Sequence, residues 1–215
     1  MDYRESKFES YDNKNIKNDK TKLAKLIDSR VSNSANKGQH YPKLSKKSSA
    51  YYKMFQEIYH LKCAYCGVNT AIQPTSMFEI DHYVNKMQEK LSDGVSVHHI
   101  KNIVFACRKC NQAKKDFDVN TGSNTCCECL HPDNEVLPVV FERKENYSIE
   151  IKPEYSDCKL VNEFYEKMDF SNRLRKLDYL LLNLYTMREL PEFKMRKNLI
   201  NNLLVELITT RNQQV

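Results

Sequence analysis

Apolar positions recur at helical spacing over residues 20–31, where Leu23, Leu26, Ile27 and Val31 share a face. They do so again from Ser48 to Leu61, where Tyr51, Tyr52, Phe55, Ile58 and Tyr59 form an aromatic stripe suited to a core. Ser32 to Gly38 is a polar loop between them. The period then shortens: Met77 to Asp81 and Ile103 to Ala106 read as short strands joined by a long connection over 83–101, and Asn111 to Phe117 begins a helix. Val136 to Ile151 alternates as a β-hairpin turning near Lys144-Glu145-Asn146. Residues 158–170, 172–189 and 192–211 read as amphipathic helices, with Leu174, Leu177, Leu181, Leu184 and Tyr185 on one face. This pattern predicts an α+β fold in three parts: a helical region over 1–60, a central ββα unit over 61–132, and a hairpin with helices over 133–215.

Two C-x-x-C turns flank the central strands, Cys63-Ala-Tyr-Cys66 and Cys107-Arg-Lys-Cys110, separated by 40 residues. Zn²⁺ favours a closed tetrahedral shell of four soft ligands, and each turn offers two sulfurs from one tight knuckle, so the pair predicts one structural Zn²⁺ site. Gly67 follows the first knuckle, where tolerance of positive φ eases the turn. The alternative is that the four thiols form disulfides or fill core space as small hydrophobes. A further group, Cys126, Cys127 and Cys129 with His131, packs its donors too closely for four tetrahedral vertices and is expected to be loop thiols rather than a second metal site.

Charge sharpens the picture at the N-terminus. The net charge is +6; residues 1–62 hold 14 Lys/Arg against 7 Asp/Glu, while 63–130 and 131–215 are close to balance. Lys14, Lys17, Lys20, Lys22 and Lys25, followed by Arg30, Lys37, Lys43, Lys46 and Lys47, would attract nucleic-acid phosphates through counterion release without reading sequence. A solvated lysine-rich helix face is the alternative. Met1 to Glu5 lead into no apolar run, and the longest apolar stretch, around Tyr179 to Leu182, is too short to span a bilayer, so a cytoplasmic protein with reduced cysteines is expected. No G-x-x-x-x-G-K-[ST] sequence is present, so any ATP chemistry belongs to another subunit.

Candidate chemistry gathers on the central unit. Asp81 and His82 end the first strand and Asn111 opens the helix, a carboxylate and an amide oxygen suited to a hard divalent cation that keeps several waters. His82, with an ordinary pKa near 6.5, would take the proton of an attacking water, its tautomer set by a carbonyl oxygen of Asn102 or its neighbourhood. Arg108, Lys109, Lys114 and Lys115 flank the site as phosphate contacts. His98 and His99 offer rival bases but are read as polar residues at a strand entrance.

Cys63-x-x-Cys66, Asp81-His82, Asn102, Cys107-x-x-Cys110-Asn111 and Lys114 together resemble the HNH branch of the ββα-metal (His-Me finger) endonucleases, over roughly residues 60–117. The resemblance implies a zinc-stapled ββα-metal unit hydrolysing DNA phosphodiesters. His82 would be its general base, Asn102 the residue that orients it, Asp81 and Asn111 the ligands of a catalytic Mg²⁺ or Mn²⁺, and the four cysteines the structural Zn²⁺ ligands. Asn111 stands where many relatives have a final histidine, an H-N-N arrangement whose amide oxygen favours a hard metal. The overall layout, with Leu130-His131-Pro132 after the site, is similar to HNH nucleases of bacterial anti-phage defence operons of the Septu type or their retron-associated versions. That implies an SMC- or ABC-like ATPase partner and an assembly with itself or with that partner. The rival reading is a non-catalytic zinc-ribbon protein that binds nucleic acid or acts as an adaptor, and an RNA-cutting version of the same site is a third.

Overall fold

The computed structural model describes residues 2–115, 117 and 130–213. Helix α1 (Ile16–Asp28) buries Ile16, Leu23, Ala24 and Ile27, and starts ahead of the expected boundary because Ile16 and Lys20 also face inward. A single-turn helix α2 (Tyr41–Leu44) follows the polar loop and anchors Leu44 in the core. In α3 (Ala50–Ile58) the Ser49 side chain accepts the Tyr51 N–H and caps the helix, while Tyr52 and Phe55 are buried, so the aromatic stripe is core. Positive φ at His60 and Leu61 ends α3 and turns the chain into the first knuckle.

Strands β1 (Phe78–His82) and β2 (Ile103–Cys107) pair antiparallel, from Phe78 opposite Cys107 to His82 opposite Ile103. β2 is buried along its whole length, and Phe105 stacks on Phe78 at 4.9 Å. Truncating either ring to alanine would cost about 3–5 kcal/mol. Helix α4 (Arg108–Lys114) follows β2 without a gap, completing the ββα unit, and ends where Lys115 takes φ +45°.

The expected hairpin forms between β3 (Phe141–Arg143) and β4 (Ile149–Ile151) but is shorter than its pattern, because the start of its first arm is a single helical turn, α5 (Leu137–Val140), opened by Pro138. A continuous apolar run of that length is ambiguous between the two periods. Helices α6 (Lys159–Lys167), α7 (Arg173–Arg188) and α8 (Lys197–Asn212) match the three expected. One core joins the three parts, with Tyr3 and Ile16, Val104 and Phe105, and Phe164, Leu181 and Leu204 in the same cluster. No described helix is long and apolar enough to cross a membrane.

α7 buries polar residues as well as leucines. Arg175 reaches the second knuckle, Asp178 pairs with Arg211 of α8, and Asn183 accepts the Lys7 N–H. The N-terminal residues strap the first knuckle: Arg4, fully buried, donates to the Ala64 carbonyl at 2.7 Å and pairs with Asp2. A Cβ on Gly67, at φ +77°, would lie 2.8 Å from the Arg4 Cα, so this position admits only glycine.

Candidate active site

The four knuckle cysteines are buried, and their Sγ atoms lie within 4.8 Å of one another. Cys66 and Cys107 Sγ are 3.8 Å apart, the spacing of two sulfurs on a tetrahedral zinc with bonds of about 2.3 Å. That distance is no disulfide, and all four thiols are free. Burial pushes the Cys63 and Cys110 thiols up, whereas hydrogen bonds with Cys110, Cys63 and Cys66 hold Cys107 well below the usual range. Sulfurs this close cannot all ionise without a cation between them. Arg175 donates to Cys110 Sγ at 3.2 Å, placing a buried positive charge beside a donor set that is negative when it holds zinc. The set fits Zn²⁺.

At the other end of the strand pair, Asp81, His82 and Asn111 line one cavity of about 390 Å³, with Tyr41, Asn85, Lys86 and Lys115 around it. Asp81 Oδ2 accepts from the Tyr65 hydroxyl at 2.6 Å, and Lys114 Nζ lies 3.4 Å from Oδ1. Burial raises the Asp81 carboxyl to about 6 despite that cation. His82 Nε2 is 2.9 Å from His98 Nδ1, and the Tyr41 ring covers the imidazole at 4.2 Å. Burial, followed by the charges of His98, Lys86 and Lys114, brings His82 down to about 4, so the ring is neutral at ordinary pH. Glu79 Oε2 accepts from Asn111 Nδ2 at 2.6 Å, leaving Asn111 Oδ1 as a free hard donor. One carboxylate and one amide oxygen beside open volume fit a hard divalent cation.

Residues 63–117 match the family of HNH endonucleases. The chain carries an HNH domain. No curated protein and no solved structure matches the chain significantly.

Within the HNH domain the structure rearranges several expected contacts. Asn102 does not bond the His82 ring: its Oδ1 accepts from Val84 N at 2.8 Å, and its Nδ2 donates to the carbonyls of Val84 and Val97 at 3.0 and 2.9 Å. It clamps the two ends of the connection between strands, and its own carbonyl accepts the Tyr83 N–H at 2.8 Å. The ring's partner is instead His98, taken from sequence as a strand-entrance residue. Lys114 is not a phosphate contact: it is fully buried and donates to the carbonyls of His82 and Tyr83 at 2.9 and 3.1 Å. Arg108 is paired with Glu79 and Lys109 with Asp169, each at 2.9 Å. Lys115 is exposed at the mouth of the cavity.

Tyr65 and Glu79 stand within the sequence constellation but carry no role there, and the structure gives each one. Tyr65 sits inside the first C-x-x-C turn, so one knuckle supplies both zinc donors and the hydroxyl that holds Asp81. A tyrosine within a zinc knuckle and an acid two residues before Asp81 were the available signals. In the N-terminal basic stretch, Lys20 is turned inward, ion-paired with Asp133 and bonded to the Ile103 carbonyl, and is removed from any polyanion surface. Cys126, Cys127 and Cys129 lie outside the described residues; His131 is buried, its Nδ1 accepting the Asp133 N–H.

Proposed function

We propose that this protein is a Mg²⁺- or Mn²⁺-dependent endonuclease that hydrolyses DNA phosphodiester bonds. The observation that carries the reading is the convergence of Asp81, His82 and Asn111 on one cavity of the HNH domain. His82 serves as general base. Because its Nε2 faces His98 Nδ1, donation of the Nε2–H to His98 leaves the Nδ1 lone pair free to take a proton from water. His98 accordingly selects the tautomer, Asn102 holds the loop that carries His98, and the Tyr41 ring shields one face of the imidazole.

Asp81 and Asn111 Oδ1 would hold the divalent cation, which when bound supplies stabilisation of charge on the scissile phosphate and the departing oxygen. Tyr65 and Lys114 fix Asp81 from behind, and Glu79 aims the Asn111 amide. Lys86 and Lys115 at the cavity mouth meet the DNA phosphates. One such site cuts one strand per encounter.

The test is plasmid cleavage with Mg²⁺ by the full chain and by His82→Ala. Loss of cleavage by about 10²–10⁴-fold is expected, with an unchanged melting profile. Unaltered cleavage would remove His82 from the base role, and absence of wild-type cleavage with any divalent metal would favour a zinc-stapled nucleic-acid-binding module. We also propose, from the likeness of layout to defence-operon nucleases, that an ATPase subunit controls cutting. Co-purification with the product of a neighbouring ATPase gene supports this, and constitutive cleavage by the chain alone in cells would reject it.

A further inference from the structure

A larger cavity, of about 1060 Å³, lies between one face of α1 and the connection that joins the two HNH strands. It is distinct from the cavity of Asp81 and His82, although Tyr83, Val84 and Asn102 form part of its wall. Nothing in the proposed cleavage reaction uses it.

Its charges are unbalanced. Lys20 is neutralised by Asp133 and Lys101 by Asp93, and Asp28 accepts from Gly38 N and bonds the His40 ring. That leaves Lys17 and Lys25, two turns apart on α1, and Lys90 on the facing connection, all exposed and with no ion pair among the described residues. The cavity therefore carries surplus positive charge on both walls.

His131 also lines this cavity but is buried, its Nδ1 accepting the Asp133 N–H at 3.1 Å, so it serves as wall. Lysines without counter-ions on facing walls call for an anionic oxygen. The remaining wall is apolar, with Ala24, Leu91 and Ile100 beside the Tyr83 ring that packs on His131 at 4.3 Å. The volume is several times that of a bare phosphate and falls at the upper end of the range for ligand sites, roughly 300–1,000 Å³.

We infer that this cavity binds a nucleoside phosphate, the phosphate meeting Lys17, Lys25 and Lys90, and the nucleoside lying against Ala24, Leu91 and Ile100. The same chemistry is presented by a free nucleotide and by the 5′-phosphorylated end of a strand. Occupancy would bear on Tyr83 and Val84, directly after His82, and so on the loop that shapes the cleavage site.

The test uses the zinc-loaded full chain, titrated at physiological ionic strength with ADP, with a 5′-phosphorylated oligothymidylate and with inorganic phosphate. Saturable binding of ADP supports a free-nucleotide site, and binding of the oligonucleotide alone supports a strand-end site. In either case the triple variant Lys17→Ala, Lys25→Ala, Lys90→Ala, confined to exposed side chains, should weaken binding by at least about tenfold. Binding by His82→Ala should equal that of wild type, so the cavity stands or falls separately from the nuclease reading. No saturable binding of either ligand, affinity indifferent to the triple variant, or phosphate bound as tightly as ADP would overturn the proposal.

Discussion

The two ends of one short strand pair hold opposite kinds of site. At the Phe78–Cys107 end, four sulfurs converge in the core, all buried, with a guanidinium at their back. At the His82–Ile103 end, roughly 13 Å further along the strands, a carboxylate, an imidazole and an amide face an open cavity. The first is closed and chemically satisfied by four like donors. The second keeps groups whose proton affinities are displaced, Asp81 up to about 6 and His82 down to about 4. Displacement of that kind, beside open volume, is what the proposed cleavage chemistry calls for. On that proposal, one ββα unit serves stability at one end and reactivity at the other, with buried β2 between them.

The sharpest way to break the comparison is to remove the closed site. Cys107→Ser, or stripping with a strong chelator, should abolish the cooperative thermal transition followed by circular dichroism. Structural zinc contributes about 10 kcal/mol or more in small domains, comparable to the whole stability of an ordinary one. A variant melting within a few degrees of wild type would show that the cysteines are mere core filling. At the open end, His98→Ala should lower DNA cleavage by about 10–100-fold without changing the melting profile, and His98→Gln should recover part of the loss by restoring an acceptor. Equal activity in all three chains would leave His82 without a tautomer-selecting partner.

Tyr65→Phe probes the contact between the two ends. Loss of one hydrogen bond to a charged group costs about 1.5–3 kcal/mol, so cleavage at limiting Mg²⁺ should fall by about tenfold or more while zinc content stays at one per chain. Reduced zinc content instead would make Tyr65 part of the knuckle's stability alone. The smallest effect is in pH dependence. Asp81 must be ionised to hold a cation, so at low metal concentration cleavage should rise with pH through about 6; His82, neutral above about 4, contributes nothing to that limb. A bound cation favours the ionised carboxylate, so more Mg²⁺ should move the limb to lower pH. Lys114→Met removes a charge that lowers Asp81, so it should move the limb to higher pH. A limb unaffected by metal or by Lys114 would belong to another group.

What could be read from the sequence was local. The C-x-x-C pairs, the Asp81-His82 step and the helix opening at Asn111 announce themselves through residue type and short spacing, and the ββα unit follows from them. The partners could not be read, because each is supplied from elsewhere in the chain: His98 for His82, Tyr65 for Asp81, Arg175 for Cys110, Asp133 for Lys20. Lys114 and Lys115 are indistinguishable as letters, yet one turns back beneath β1 and the other leaves the helix at positive φ. The shortened first arm of the hairpin, where Leu137 to Val140 turn helical, has a simpler cause, since four apolar residues fit a strand and a helical turn equally well.

The straps on the knuckles set the size of the piece that can be studied alone. Arg4 closes over Gly67 from one terminus, and Arg175 reaches Cys110 from beyond the hairpin. A fragment cut at 63 and 117 would keep every residue of the family match while losing the guanidinium at the sulfurs, the cover over the turn and the aromatic floor contributed by Phe164. The stretch that carries the family signature is therefore smaller than the unit that must fold to display it, and excision at its borders removes the supports along with the flanks.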